Sequence, residues 1–171
     1  MTDARVALMG LRRQPAILAL LLLTAGLTAQ ERPDFSGTWT FDQQKSMKPD
    51  ANGRIVLAAM LGEEFVALQD ADALTLRISF QGDLVVAVYD LHGKETENTS
   101  PGNITVRSRA GWQGQRLVID STSDGIEGGK AVTIRTRRTL SIDGDGDLIL
   151  ERTGSPASQV TPSRSVYRRV R

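Results

Sequence analysis

Phe35-Ser36-Gly37-Thr38-Trp39-Thr40-Phe41-Asp42 is the stretch whose reading decides the fold class of this chain. Gly-x-Trp stands here inside an alternating run, the form a barrel's first strand takes when one aromatic side chain plugs the closed end and a glycine lets the backbone pass tightly. Gly37 and Trp39 are therefore read as structural residues.

Working outward, the chain continues as strands. Phe65–Gln69, Leu74–Phe80, Leu84–Tyr89, Asn103–Trp112, Arg116–Ser121, Ala131–Ile142, Leu148–Arg152 and Ser163–Val170 each alternate or run apolar between turn-forming residues. Leu74–Phe80 alternates strictly, so one of its faces is wet, whereas Leu84–Tyr89 is apolar on both faces, as in a strand covered on both sides or facing a greasy cavity. Lys45–Arg54 and Lys94–Gly102 read as polar connections, and Ser123–Gly129 reads as a glycine-rich excursion. The run Ile55–Leu61 is too short for periodicity to choose between a turn or two of helix closing a barrel mouth and a buried strand. Turn glycines at 82, 93, 114, 125 and 144 fall at roughly 8 to 12 residues, or twice that, as in a meander. The expectation is an all-β fold, an antiparallel up-and-down barrel or curled meander of about 8 to 10 strands.

At the other end of the chain, Arg12-Arg13 precedes an apolar run from Pro15 to Leu23, and Thr28-Ala29-Gln30 supplies small residues at a cut site. Basic, apolar and small regions in that order make a secretory leader over residues 1–29, followed by one domain over 30–171. The apolar run falls short of the roughly 20 residues that span a bilayer, so no membrane span is expected after cleavage. The expected location is therefore exported, periplasmic or extracellular. The whole chain has 21 Lys and Arg against 20 Asp and Glu; without Arg5, Arg12, Arg13 and Asp3 the balance is 18 to 19. A nearly neutral domain with 5% aromatic residues has neither the field nor the stacking platform of a nucleic-acid binder. Cysteine is absent, which removes disulfides, thiolate metal sites and thiol nucleophiles.

Four landmarks in order, Phe35-Ser36-Gly37-Thr38-Trp39 with Lys45-Ser46, Tyr89-x-Leu91-x-Gly93-x-Glu95, Trp112-x-Gly114-x-x-Leu117, and Val166-Tyr167-Arg168, resemble the lipocalin-like superfamily. The likeness is nearest to small exported bacterial lipocalin-like proteins. His92 stands where that pattern has Asp before glycine, so any role of the aspartate is lost. The resemblance implies a barrel with Trp39 at its closed end and an arginine from a late strand stacked on the indole, for which Arg138, Arg152 and Arg168 are candidates. Lipocalins bind small apolar molecules, an analogy at the level of fold.

Candidate chemistry is sparse. His92, the only histidine, reads as a solvated turn residue, since one imidazole with Glu95 or Glu97 makes a poor zinc set. Asp143-Gly-Asp145-Gly-Asp147 has the opening spacing of a calcium loop, but Leu148 and Gly154 stand where an EF-hand needs Gly and Glu, so it reads as a hairpin turn. No Gly-x-Ser-x-Gly occurs, and the carboxylate pairs Glu63-Glu64 and Glu95-Glu97 read as solvated. Asn98-Thr99-Ser100 and Asn103-Ile104-Thr105 read as loop polarity. Arg107, Arg109, Arg135 and Arg137 fall on strand faces that could build a basic patch for an anionic envelope component. The expected role is non-enzymatic, without cofactor or metal: a barrel holding a small apolar ligand against Leu76, Ile78, Val86, Val88, Val106, Ile119, Ile134 and Leu150, with Tyr89 and Trp112 nearer the rim. Such binding requires a cavity of about 300 Å3 or more. The rival reading is an envelope interaction or structural module.

Overall fold

A computed structural model describes residues 31–47 and 58–170 of the chain. Its described residues form ten strands, β1 (Gly37–Phe41), β2 (Glu64–Gln69), β3 (Ala73–Phe80), β4 (Asp83–Asp90), β5 (Thr96–Ser100), β6 (Ile104–Gln113), β7 (Arg116–Glu127), β8 (Lys130–Ile142), β9 (Leu148–Ser155) and β10 (Ser163–Arg169), with one short helix, α1 (Gln43–Ser46), after β1. All pair antiparallel in the order β4-β3-β2-β1-β10-β9-β8-β7-β6-β5, a meander whose last strand returns to its first. The result is a nearly closed ten-stranded barrel, in keeping with the all-β expectation.

Gly37 carries the closure at one end. Its φ of +134° is one that side-chain-bearing residues rarely adopt, and a Cβ there would sit 3.6 Å from the Arg169 stem. Trp39, fully buried, pairs directly with Arg169, whose guanidinium carbon lies 4.7 Å from the indole centroid. The partner is thus Arg169 and not Arg138, Arg152 or Arg168, because the register of β1 on β10 places 169 opposite 39. Arg168 faces the other way and binds Asp42 at 3.0 Å. Phe35 stacks on Trp112 with centroids 5.8 Å apart, Arg32 covers the same indole, and Gln69 binds both Pro33 and Phe35. The segment before β1 therefore caps the closed end.

Where β1 stops, α1 takes over the margin of β10: Asp42 N–H donates to the Val166 carbonyl, and Val166 N–H donates to Ser46 Oγ at 2.9 Å. Asp42 caps the helix by accepting from Lys45 N–H. Of the apolar run Ile55–Leu61, Ala58 onward is described, and Met60 makes an isolated bridge to Gly62 in place of either helix or strand. Leu61 is buried, and its N–H donates to the Tyr167 hydroxyl at 2.9 Å, which ties this segment over the barrel mouth. The leader over residues 1–29 lies outside the described residues.

Two connections expected from sequence are strands instead. Thr96–Ser100 forms β5 although it has no apolar residue, because β6 offers it a full ladder. Ser123–Glu127 continues β7, paired to β8 out to a turn at Gly128-Gly129, both at positive φ, so Gly125 lies inside a strand. Gly125 has its own reason: a Cβ would collide with Ile134.

No ladder joins β4 to β5. The Asn98 side chain bridges them, its amide oxygen accepting from Val88 N–H at 2.7 Å and its amide nitrogen donating to Val88 C=O at 3.0 Å. A side-chain amide thus stands in for a peptide unit at the seam.

Candidate functional site

Alternation assigns an inward face to each strand, and the rows of inward residues are apolar near the closed end. Ile142 pairs with Leu148 and Leu140 with Leu150, and around them Leu76, Leu74, Leu117, Ile119 and Phe65 are all but inaccessible. That half of the barrel is filled to packing density. One step toward the mouth the composition changes: Arg138 pairs with Arg152, both on the inward face, and beyond them Ser108, Ser121 and Thr136 follow. Ser108 and Ser121 are buried with their hydroxyls 2.9 Å apart, so each meets the other's hydrogen-bonding need.

A cavity of about 330 Å3 opens above the packed half. Ile78, Val85, Ala87 and Val106 form its walls, Met60 and Leu61 close over it, and Asn98 to Pro101 edge it on the β5 side. Tyr89 and Arg138 also line it, joined by a bond from Arg138 Nη1 to the Tyr89 hydroxyl at 3.2 Å. Since that hydroxyl accepts from Arg138, its own proton is free to be donated into the cavity. Beside Arg138, Arg152 Nε is enclosed without a hydrogen-bond partner, while its Nη2 donates to the Thr161 carbonyl at 3.4 Å. Burial, and then the neighbouring charge of Arg138, hold the Arg152 guanidinium below its ordinary pKa. Neither arginine meets a carboxylate within ion-pair distance among the described residues. Among the described residues these two neighbouring like charges have no counter-charge, an arrangement that a bound anion relieves.

The residues singled out from sequence divide into four groups. Ile78, Tyr89 and Val106 line the cavity, with Tyr89 at its base and not at the rim. Leu76, Ile119 and Leu150 point inward but belong to the packed half. Ile134 points inward and rests over Gly125. Val86 and Val88 point outward, 43% and 40% exposed, and Trp112 lies at the closed end beneath Arg32, so these three do not wall the cavity. The sidedness of β4 is set by β3: Leu76 pairs with Ala87 and Ile78 with Val85, which turns Val85, Ala87 and Tyr89 inward. Reading the sequence missed Arg138 as a cavity residue, and Arg152 as its inward neighbour, because arginine in an alternating strand usually marks the wet face. The available signal was that Arg137-Arg138 are consecutive, so one of them had to face inward.

Elsewhere, the arginine face exists but is largely compensated. Arg107 binds Glu97 at 2.8 Å, Arg109 binds Glu95 at 3.3 Å, and Arg137 makes two bonds to Asp120 at 2.7 and 2.8 Å. These residues edge an open outer groove of about 480 Å3, walled by mixed charges rather than by a free cationic patch. His92 is an exposed turn residue with Nε2 3.0 Å from Asp72. Asp143, Asp145 and Asp147 do converge, but Lys45 Nζ already lies 3.2 Å from Asp145 and 2.5 Å from Asp147, so a lysine ammonium engages two of the three carboxylates.

A nearly closed ten-stranded antiparallel barrel is the fold this chain shares with known structures. Two solved structures make the likeness concrete: a protein titled REP1-NXSQ fatty acid transporter, at 13% identity and TM-score 0.53, and apo lipid binding protein 8 of Caenorhabditis elegans, at 11% identity and TM-score 0.53. Each superposes on 80% of this chain, and the matched part is 96% of the first and 95% of the second. At these identities the likeness concerns the fold. No protein-family model and no curated protein sequence matches the chain.

Proposed function

We propose that this protein is an exported, non-enzymatic lipocalin-like carrier that binds a small amphiphile in its barrel, apolar body against Ile78, Val85, Ala87 and Val106 and anionic group on Arg138 and Tyr89. The observation that carries the reading is Arg138, bonded to Tyr89 and without a carboxylate partner among the described residues, in the wall of a cavity of about 330 Å3 with Arg152 paired beside it. That volume falls in the range of small-molecule sites. The two structural neighbours, a fatty acid transporter and a lipid binding protein by name, support the same class of cargo. Export rests on the order of basic, apolar and small residues over 1–29.

Native mass spectrometry of the protein recovered from its own host's exported fraction, followed by denaturing extraction, tests this. A stoichiometric acidic small molecule is the expected result. A bare polypeptide mass, together with no displacement of an apolar dye by any carboxylate, would overturn it.

A second reading, an envelope interaction module, has one observation in its favour. Leu84, Val86 and Val88 form an outward apolar row, 68%, 43% and 40% exposed, on the strand beside the unladdered seam. Loss of a co-purifying envelope protein on replacing the three with threonine, with dye binding intact, would establish it.

A further inference from the structure

We infer that the mouth end of the barrel docks on a lipid surface, with the tips of its hairpins at headgroup depth. The two ends of the meander differ in chemistry. Of the mouth-end connections described in full, β3–β4 (81–82), β5–β6 (101–103), β7–β8 (128–129) and β9–β10 (156–162) hold no charged residue. Among strand residues within two positions of these turns, Asp83 and Glu127 are offset by Lys130 and Arg164. The closed end is the reverse. Its turns 70–72, 91–95, 114–115 and 143–147 carry Asp70, Asp72, Glu95, Asp143, Asp145 and Asp147 against His92 and Lys94, with Lys45 reaching two of these carboxylates.

Large apolar side chains stand exposed beside three of the uncharged tips. Phe80 and Leu84 flank the first, Ile104 follows the second, and Ile126, 73% exposed, precedes the third. Ile104 and Ile126 lie two and three residues past the last β6–β7 pair, Val106–Ser123, so both project beyond the paired part of those strands. Apolar groups on separate tips do not make the continuous, shaped face that a protein partner packs against. What they share is one end of the barrel, and a bilayer interface asks for nothing more. Docking there desolvates almost no charge. On a membrane with anionic lipid, the carboxylate-rich far end is turned away, which favours the same pose. Phe80 also lines the cavity beside Pro101 of the second turn, so the docked face contains the cavity's opening. Under the carrier reading this gives an amphiphile a path that avoids water; the docking itself does not depend on that reading.

Flotation of the full mature chain with phosphatidylcholine vesicles, at low and high salt, tests the inference. The parent is expected to float at both, since opposite charges cancel near the tips and leave little for salt to screen. Ile104→Ser with Ile126→Ser, which leaves the residues lining the cavity and the row Leu84, Val86 and Val88 in place, should float about tenfold less or lower while binding an apolar dye as before. A parent that does not float overturns the docking, as does equal flotation of parent and variant. Flotation that requires anionic lipid and is released by salt also overturns it, and moves the contact to the arginine-bearing strands. Because the chain has no cysteine, Ile126→Cys can carry a single environment-sensitive fluorophore. Its emission should shift to the blue on vesicles while the same label on Asp72→Cys, at the far end, does not; equal shifts overturn the pose. Flotation of a parent that binds no apolar dye overturns the carrier reading alone.

Discussion

Trp39 and Arg169 face each other across the ladder that joins the first strand to the last, with the indole Nε1–H donating to the Phe35 carbonyl at 2.8 Å and the guanidinium lying over the ring. One side chain therefore fastens the end cap, the first strand and the last. Trp39→Ala is expected to destabilise the barrel by about 3–5 kcal/mol and Arg169→Ala by about 1 kcal/mol. Urea denaturation of the two single variants and the double variant checks this. The double variant should lose less than the sum of the singles, since each single already breaks the shared contact.

Gly37→Ala isolates backbone conformation from contact. The added methyl would meet Arg169 at an ordinary van der Waals distance, so the penalty comes from φ, on the order of 1–3 kcal/mol. A thermal midpoint unchanged from the parent would show that the glycine is not conformationally required.

Arg152→Met should separate stability from binding. Removing a part-buried guanidinium whose Nε lacks a partner, and whose Nη2 makes only a long bond of 3.4 Å to the Thr161 carbonyl, is expected to leave stability unchanged or slightly raised. By contrast, Arg138→Met should weaken carboxylate binding by about tenfold or more, as loss of a charged donor does. Denaturation and dye-displacement titrations read the two effects independently. A destabilised Arg152→Met would mean that the guanidinium is satisfied in the folded protein.

Burial pushes the Tyr167 phenol up from 10.0 to about 12. A phenol with a raised folded pKa favours the fold in its neutral form. Its contribution is complete below pH 10 and is lost as pH climbs toward 12. Stability measured across that window should fall, and Tyr167→Phe should flatten the fall while starting lower by about 1 kcal/mol, because Leu61 N–H loses its acceptor. Lys45, held above its ordinary value by its hydrogen bonds to Asp147 and Asp145, contributes to the alkaline loss that remains.

At the seam, Asn98→Ala removes both bonds to the Val88 backbone. Amide exchange at Val88 should accelerate about tenfold relative to Thr75, its partner on β3, which keeps its ladder. Equal acceleration at both would indicate global destabilisation instead.

The closed end was legible in the sequence because Gly37 and Trp39 each have one dominant physical use there, whereas the cavity was less so. On β4 the rows Leu84-Val86-Val88 and Val85-Ala87-Tyr89 are equally apolar, and only pairing with Leu76 and Ile78 on β3 decides which row turns inward. β5 has no apolar residue to betray it, since its stability comes from β6. The arginine pair was hidden by the usual preference of guanidinium for water.

The polar margin of β5 has a consequence for the protein as one of many copies. A barrel left unlaced along one line has two strand margins, and a greasy margin would let one molecule's sheet grow into the next. Thr, Glu, Asn, Thr and Ser on that margin make such growth unrewarding, while Asn98 occupies the one backbone it adjoins. The line between β4 and β5 is thus where two strand margins meet without a ladder among the described residues, and a parting there would leave all nine ladders intact.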